Sequence, residues 1–169
     1  MTTTLSSKDR LIFALDVPDK SEAQHLVKLL RDSVGCFKVG LELFVREGPD
    51  ILKLIKDHSS AEIFLDLKLH DIPATVRGAL RSAAKLGVKY ITIHSTEGEA
   101  ILEASKEVKD SGLEVLAVTI LTSMGEAQLH DLGSSLKVGD VVLDRALRAR
   151  QSGCSGIICS GEEIASVKQ

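Results

Sequence analysis

The stretch Phe64 to Pro73, "FLDLKLHDIP", sets four ionisable side chains, Asp66, Lys68, His70 and Asp71, among apolar residues and closes on a proline. Short apolar runs of this kind read as strands buried on both faces. The residues that follow, Ile72, Val76, Ala79, Leu80, Ala83 and Leu86, repeat at helical spacing, so the segment is a strand feeding a helix. Pro73 suits the first helical turn, where its missing N–H leaves no bond unmade. What decides the fold is that the charges sit at the strand's C-terminal end.

The same grammar recurs on both sides. "RLIFALDV" (Arg10 to Val17) is a strand, followed by a helix from Ser21 in which Ser21 and Gln24 form a capping-box pattern. "CFKVG" leads to a helix containing Ile51, Leu52 and Ile55. "KYITIH" precedes a helix expected to be capped by Thr96 and Glu99, and "LEVLAVTIL" precedes a helix around Val141 to Arg150. "SGIICS" runs into Ser160 to Glu163, another capping-box pattern. Six β/α units result, the sixth barely begun, and strands joined by helices pair in parallel with helices outside.

Two architectures satisfy that order. A doubly wound dinucleotide fold should carry GxGxxG after its first strand, and here that strand ends in "LDVPDK". Polar groups gather instead at one strand end after another: Asp16, Lys38, Asp66 with Lys68, His94 and Thr122. A barrel collects such ends around one mouth. The expected fold is therefore α/β, a TIM (β/α)8 barrel forming a single domain over residues 1–169. Such barrels need roughly 200–250 residues, so the chain is expected to stop after strand 6, with the C-terminal β/α units missing.

Composition sets the surroundings. The 169 residues are 44% hydrophobic and 27% charged with a net charge of −3, ordinary for a soluble globular protein. The basic residues lie among acidic ones, so no cationic face offers itself to nucleic acid. No apolar run approaches a membrane span and the N-terminus has no apolar signal core, which makes the cytoplasm the expected location. Cys36, Cys154 and Cys159 are expected as buried free thiols, and the five histidines have no spacing that would clamp a metal.

In a regular strand residues two apart share a face, so Asp66 and Lys68 are expected inside the barrel, with Lys38 reaching the same space and Asp71 just beyond. Lys38, Asp66, Lys68 and Asp71 then alternate in sign. A purely structural salt-bridge network is the plain alternative, but buried ion pairs give little net stability, so function explains four charges at a barrel mouth better. Asp16 could instead cap a helix, and Thr122 could be a turn residue.

"DLKLHDIPATV" (Asp66 to Val76), with "ALD" ending at Asp16 and "FKVG" holding Lys38, closely resembles the orotidine 5′-phosphate decarboxylase family. "VTILTSM" (Val118 to Met124) and "GIICSGEE" (Gly156 to Glu163) extend the resemblance along the chain. It implies cofactor-free decarboxylation of orotidine 5′-phosphate to uridine 5′-phosphate, the last step of de novo pyrimidine nucleotide synthesis. By the same resemblance Lys68 is the proton donor and Asp66 its positioning partner. Lys38 and Asp16 match ribose-binding positions, Lys38 also joining the charge network, and Thr122 matches a pyrimidine contact. Asp71, Ile72 and Thr75 match residues contributed across a homodimer interface into the partner's site. In the family a phosphate-gripping segment and a Gly-Arg pair lie on the loops of strands seven and eight, the units expected to be missing from this chain. Two other readings stay open: a magnesium-dependent sugar-phosphate decarboxylase or aldolase of the same superfamily, and a non-enzymatic barrel remnant. The sugar-phosphate enzymes share Asp-x-Lys-x-x-Asp but lack the continuation His70-Asp71-Ile72-Pro73.

Overall fold

A computed structural model describes residues 6–96 and 98–168. Its strands are β1 (Ile12–Ala14), β2 (Cys36–Gly40), β3 (Glu62–Leu69), β4 (Tyr90–His94), β5 (Glu114–Val118) and β6 (Gly156–Ile158). They form one sheet in the order β1-β2-β3-β4-β5-β6. The pairings β1 to β2, β2 to β3 and β5 to β6 are parallel, with Ala14 opposite Lys38 and Gly40 opposite Asp66. A doubly wound sheet reverses its strand order at a switch point; strict sequential order is the pattern of a (β/α) barrel.

The helices are α1 (Lys20–Leu30), α2 (Leu41–Glu47), α3 (Asp50–His58), α4 (Pro73–Lys85), α5 (Glu99–Leu102), α6 (Glu126–Asp131), α7 (Val138–Ser152) and α8 (Ile164–Val167). Two compact units make up the chain: Met1–Leu67 with Ala83–Ile91, and Lys68–Ser82 with Thr92–Gln169. In the first, Phe37, Val39, Ile63 and Leu65 from the strands and Val27, Leu43, Ile51 and Ile55 from the helices are fully or almost fully buried. Phe13 and Phe37 meet edge to face, their ring centroids 6.3 Å apart. In the second, Ile120, Leu129, Val141 and Val142 form a core cluster against which Met124, Val138, Cys159 and Val167 pack.

Several boundaries differ from the sequence reading, each for a local reason. Strand β1 is shorter than Arg10 to Val17, although the Leu15 N–H still reaches the Lys38 carbonyl at 2.9 Å. Helix α1 is capped by Asp19, whose carboxylate accepts from the Glu22 N–H at 3.0 Å, not by Ser21, which lies inside the first turn. Thr96 does not cap α5; the N-cap is Gly98, at φ +86°, where a side chain would be strained. The Ser160 capping box forms as expected, with Ser160 Oγ accepting from the Glu162 N–H and Glu163 Oε2 from the Ser160 N–H, but it opens a 3-10 turn.

Candidate active site

In the first unit, Lys38 projects from β2 with its Nζ 3.1 Å from Asp16 Oδ1 and 3.8 Å from Asp66 Oδ2. Asp16 follows the end of β1 and Asp66 lies on β3, so three consecutive strands each contribute one group. Because Asp19 caps α1, Asp16 has no capping duty and its carboxylate turns to Lys38 instead. Its side chain is 70% exposed whereas that of Asp66 is 13% exposed, so the triad is wet on one side and enclosed on the other. Gly40 lies beside it: a Cβ there would sit 3.5 Å from Asp16 Oδ1 and 3.6 Å from Lys38 Nζ. Gly40 stands two residues after Lys38, on the face of β2 that the alternation of a strand gives them in common.

In the second unit, Lys68 breaks the regular strand. Its φ is +50°, the left-handed region, and it is the one non-glycine residue at positive φ among the described residues. Its N–H is turned to a side chain, donating to Thr92 Oγ1 on β4 at 2.8 Å. Strict alternation along β3 therefore does not by itself fix the direction of Lys68. Beyond it, Asp71 Oδ1 accepts from the Ile72 N–H at 2.6 Å, and the Ile72 carbonyl accepts from the Thr75 and Val76 N–H groups, turning the chain into α4. The His70 and His94 rings lie 5.0 Å apart, with His70 Nε2 3.5 Å from Thr96 Oγ1. His70, Asp71, Ile72, Pro73 and Ile101 line a recess of about 500 Å³, and Ile72 is 66% exposed there.

Thr122 lies apart from that recess. It is exposed on the loop after β5 and, with Ile120, Met124, Gly139, Ser160 and Glu163, lines a cleft of about 540 Å³. The loop is anchored below by Ile120 in the core cluster and at its start by Thr119, whose N–H and hydroxyl both donate to the Ile158 carbonyl. Arg145 on α7 donates to the Thr119 carbonyl at 2.6 Å. Arg145 and Thr92 were not singled out from the sequence. Thr92 could have been, as a polar residue within the apolar run "KYITIH", on the face it shares with His94.

The chemistry such groups allow is proton transfer and anion handling by ammonium and carboxylate side chains. Among the described residues no group of three or more His, Cys, Asp or Glu side chains is arranged to hold a metal ion.

Comparison with known proteins gives the same direction. The model of the orotidine 5′-phosphate decarboxylase / HUMPS family matches residues 9–169. The orotidine 5′-phosphate decarboxylase of Nostoc sp. is 45% identical over 172 residues, covering 96% of this chain and 71% of its own length. The crystal structure of orotidine 5′-phosphate decarboxylase from Lactobacillus acidophilus superposes with a TM-score of 0.83 at 33% identity, covering 93% of this chain and 74% of its own. That of the Methanocaldococcus jannaschii enzyme, solved with the inhibitor BMP, gives 0.78 at 26% identity, covering 94% and 72%. The chain belongs to the orotidine 5′-phosphate decarboxylase / HUMPS family.

Proposed function

We propose that the protein decarboxylates orotidine 5′-phosphate to uridine 5′-phosphate, completing de novo pyrimidine nucleotide synthesis, without metal or organic cofactor. The observation that carries this reading is the 45% identity to a curated decarboxylase across 96% of the chain. The ion triad of Asp16, just past β1, Lys38 on β2 and Asp66 on β3 supports it. The reaction breaks the bond between pyrimidine C6 and its carboxylate; CO2 leaves, the electron pair stays on C6, and a proton must reach that carbon. An oriented ammonium is suited both to stabilising the developing carbanion and to delivering the proton.

In this proposal Lys68 protonates C6, and Asp66 holds the ammonium network in place beside the departing carboxylate. Lys38 and Asp16 take the ribose hydroxyls, one donating and the other accepting. Thr122 contacts the pyrimidine. Asp71, Ile72 and Thr75 serve the site of a second subunit, so the working form is a homodimer in the cytoplasm. The exposed position of Ile72 supports the last point, since an apolar side chain 66% open to water is stabilised by a partner that covers it. The relatives named above are decarboxylases of orotidine 5′-phosphate, and no observation favours the sugar-phosphate reading.

The test is direct. Purified protein is mixed with orotidine 5′-phosphate and the loss of substrate is followed with and without a chelator. Turnover indifferent to the chelator is the expected result; turnover that requires magnesium, or a sugar phosphate consumed in place of the nucleotide, overturns it.

A further inference from the structure

We propose that Thr92 is a positioning residue for Lys68: its hydroxyl fixes the Lys68 backbone in the left-handed conformation from which the ammonium is aimed. The inference rests on the proposed role of Lys68 as proton donor and adds a residue that acts through it.

A lysine gains nothing locally from φ +50°, because its Cβ crowds the backbone there, as it does for any side chain other than glycine. Such conformations persist only where surrounding contacts over-determine them, and they cluster at functional sites. Here the contact is visible. The Lys68 N–H donates to Thr92 Oγ1 at 2.8 Å, a side-chain oxygen.

Thr92 is well suited to this task. It is fully buried, as are Ile91 and Ile93 on either side of it in β4, so the strand holding the hydroxyl is locked by packing. A β-branched side chain is stiff at χ1, which fixes the acceptor's position rather than only its presence. Burial also removes water as a substitute, so losing the hydroxyl leaves the Lys68 N–H without this acceptor. The expected consequence is relaxation of Lys68 towards ordinary strand geometry, which swings its side chain away from its aimed direction. Serine keeps the acceptor; valine keeps the shape and loses it.

Two measurements on the full-length enzyme test this. Amide hydrogen exchange in the unsubstituted protein needs no variant: the Lys68 amide should exchange at least about a hundredfold more slowly than a free amide. In kinetics with orotidine 5′-phosphate, Thr92→Val should lower kcat about ten- to a hundredfold while KM stays within about threefold, and Thr92→Ser should restore kcat to within about threefold. That split with serine rescue is not what general destabilisation gives. An unprotected Lys68 amide, an unchanged kcat in Thr92→Val, or equal losses in the valine and serine variants would overturn the proposal. If Thr92→Val fails to fold, the exchange measurement and Thr92→Ser decide. A protein that never turns over orotidine 5′-phosphate refutes the proposed function instead, while the amide measurement still reports on the backbone contact.

Discussion

In the proposed reaction Lys68 delivers the proton to C6, and its substitution is the sharpest test of the site. Lys68→Ala removes the proposed source of the C6 proton, and turnover should fall by about a thousandfold or more with unchanged circular dichroism. Near-normal turnover in a folded variant would take Lys68 out of the reaction. Cys36 offers a prediction on stability instead. Its thiol, 3% exposed on β2, is pushed up to about 12 by burial first and the Glu62 carboxylate second, against an ordinary value of 9.0. Above pH 9 the unfolded chain therefore releases a proton that the folded chain still holds, so this group's contribution to stability declines as pH rises from 9 towards 12. Urea melts between those limits should show a shallower decline in Cys36→Ala than in the parent; parallel declines would mean that the thiol stays protonated in neither state or both.

At the scale of elements, strands and long helices were legible because their signals are local. The apolar run of β3 is found as Glu62–Leu69, and the helical spacing from Ile72 to Leu86 as Pro73–Lys85, with Ile72 and Leu86 just outside the helix at either end. Sequential strand order was readable only indirectly, through the missing glycine fingerprint after β1 and the recurrence of polar groups at strand ends. Caps were less legible. Asp19, Ser21 and Glu22 all suit a helix start, and only the backbone path shows that Asp19 accepts from the Glu22 N–H. Helix α2 went unseen because its seven residues bury one side chain, Leu43, and so carry no repeated apolar stripe. The left-handed φ of Lys68 was invisible for a deeper reason: lysine has no preference for it, and it arises from Thr92, 24 residues away. The Asp19 assignment can be checked by substitution. Asp19→Ala should lower stability by about 1 kcal/mol through loss of the cap, whereas Ser21→Ala should be nearly neutral. The reverse ranking in denaturant melts would restore Ser21 as the cap.

For the whole molecule, length matters. The chain spans 71% of its Nostoc relative and 74% of the Lactobacillus structure, and its described residues form six strands where a closed (β/α)8 barrel has eight. Binding energy from parts of a substrate remote from the reacting bond serves to organise the site around that bond. A polypeptide of residues 1–169 alone should therefore decarboxylate orotidine 5′-phosphate far more slowly than one carrying two further β/α units. Equal rates would mean that six units suffice.

The proposed sharing of the site between subunits makes a separate demand. Asp71 is exposed, its Oδ1 accepts from the neighbouring Ile72 N–H, and the recess around it is partly apolar, which fits a surface completed by a second copy. If Asp71 serves the partner's site while Lys68 serves its own, a Lys68→Ala chain and an Asp71→Ala chain are each inactive as homodimers for different reasons. In the mixed dimer one site lacks both residues and the other has both intact. Mixing the two inactive full-length proteins under subunit exchange should then recover activity, approaching about a quarter of the parent's when exchange is complete, since half of the dimers are mixed and half of their sites are whole. Cross-linking of differently tagged chains measures the exchange itself. Recovery in step with exchange is the expected outcome, and full exchange with no recovery would confine Asp71 to the site of its own chain.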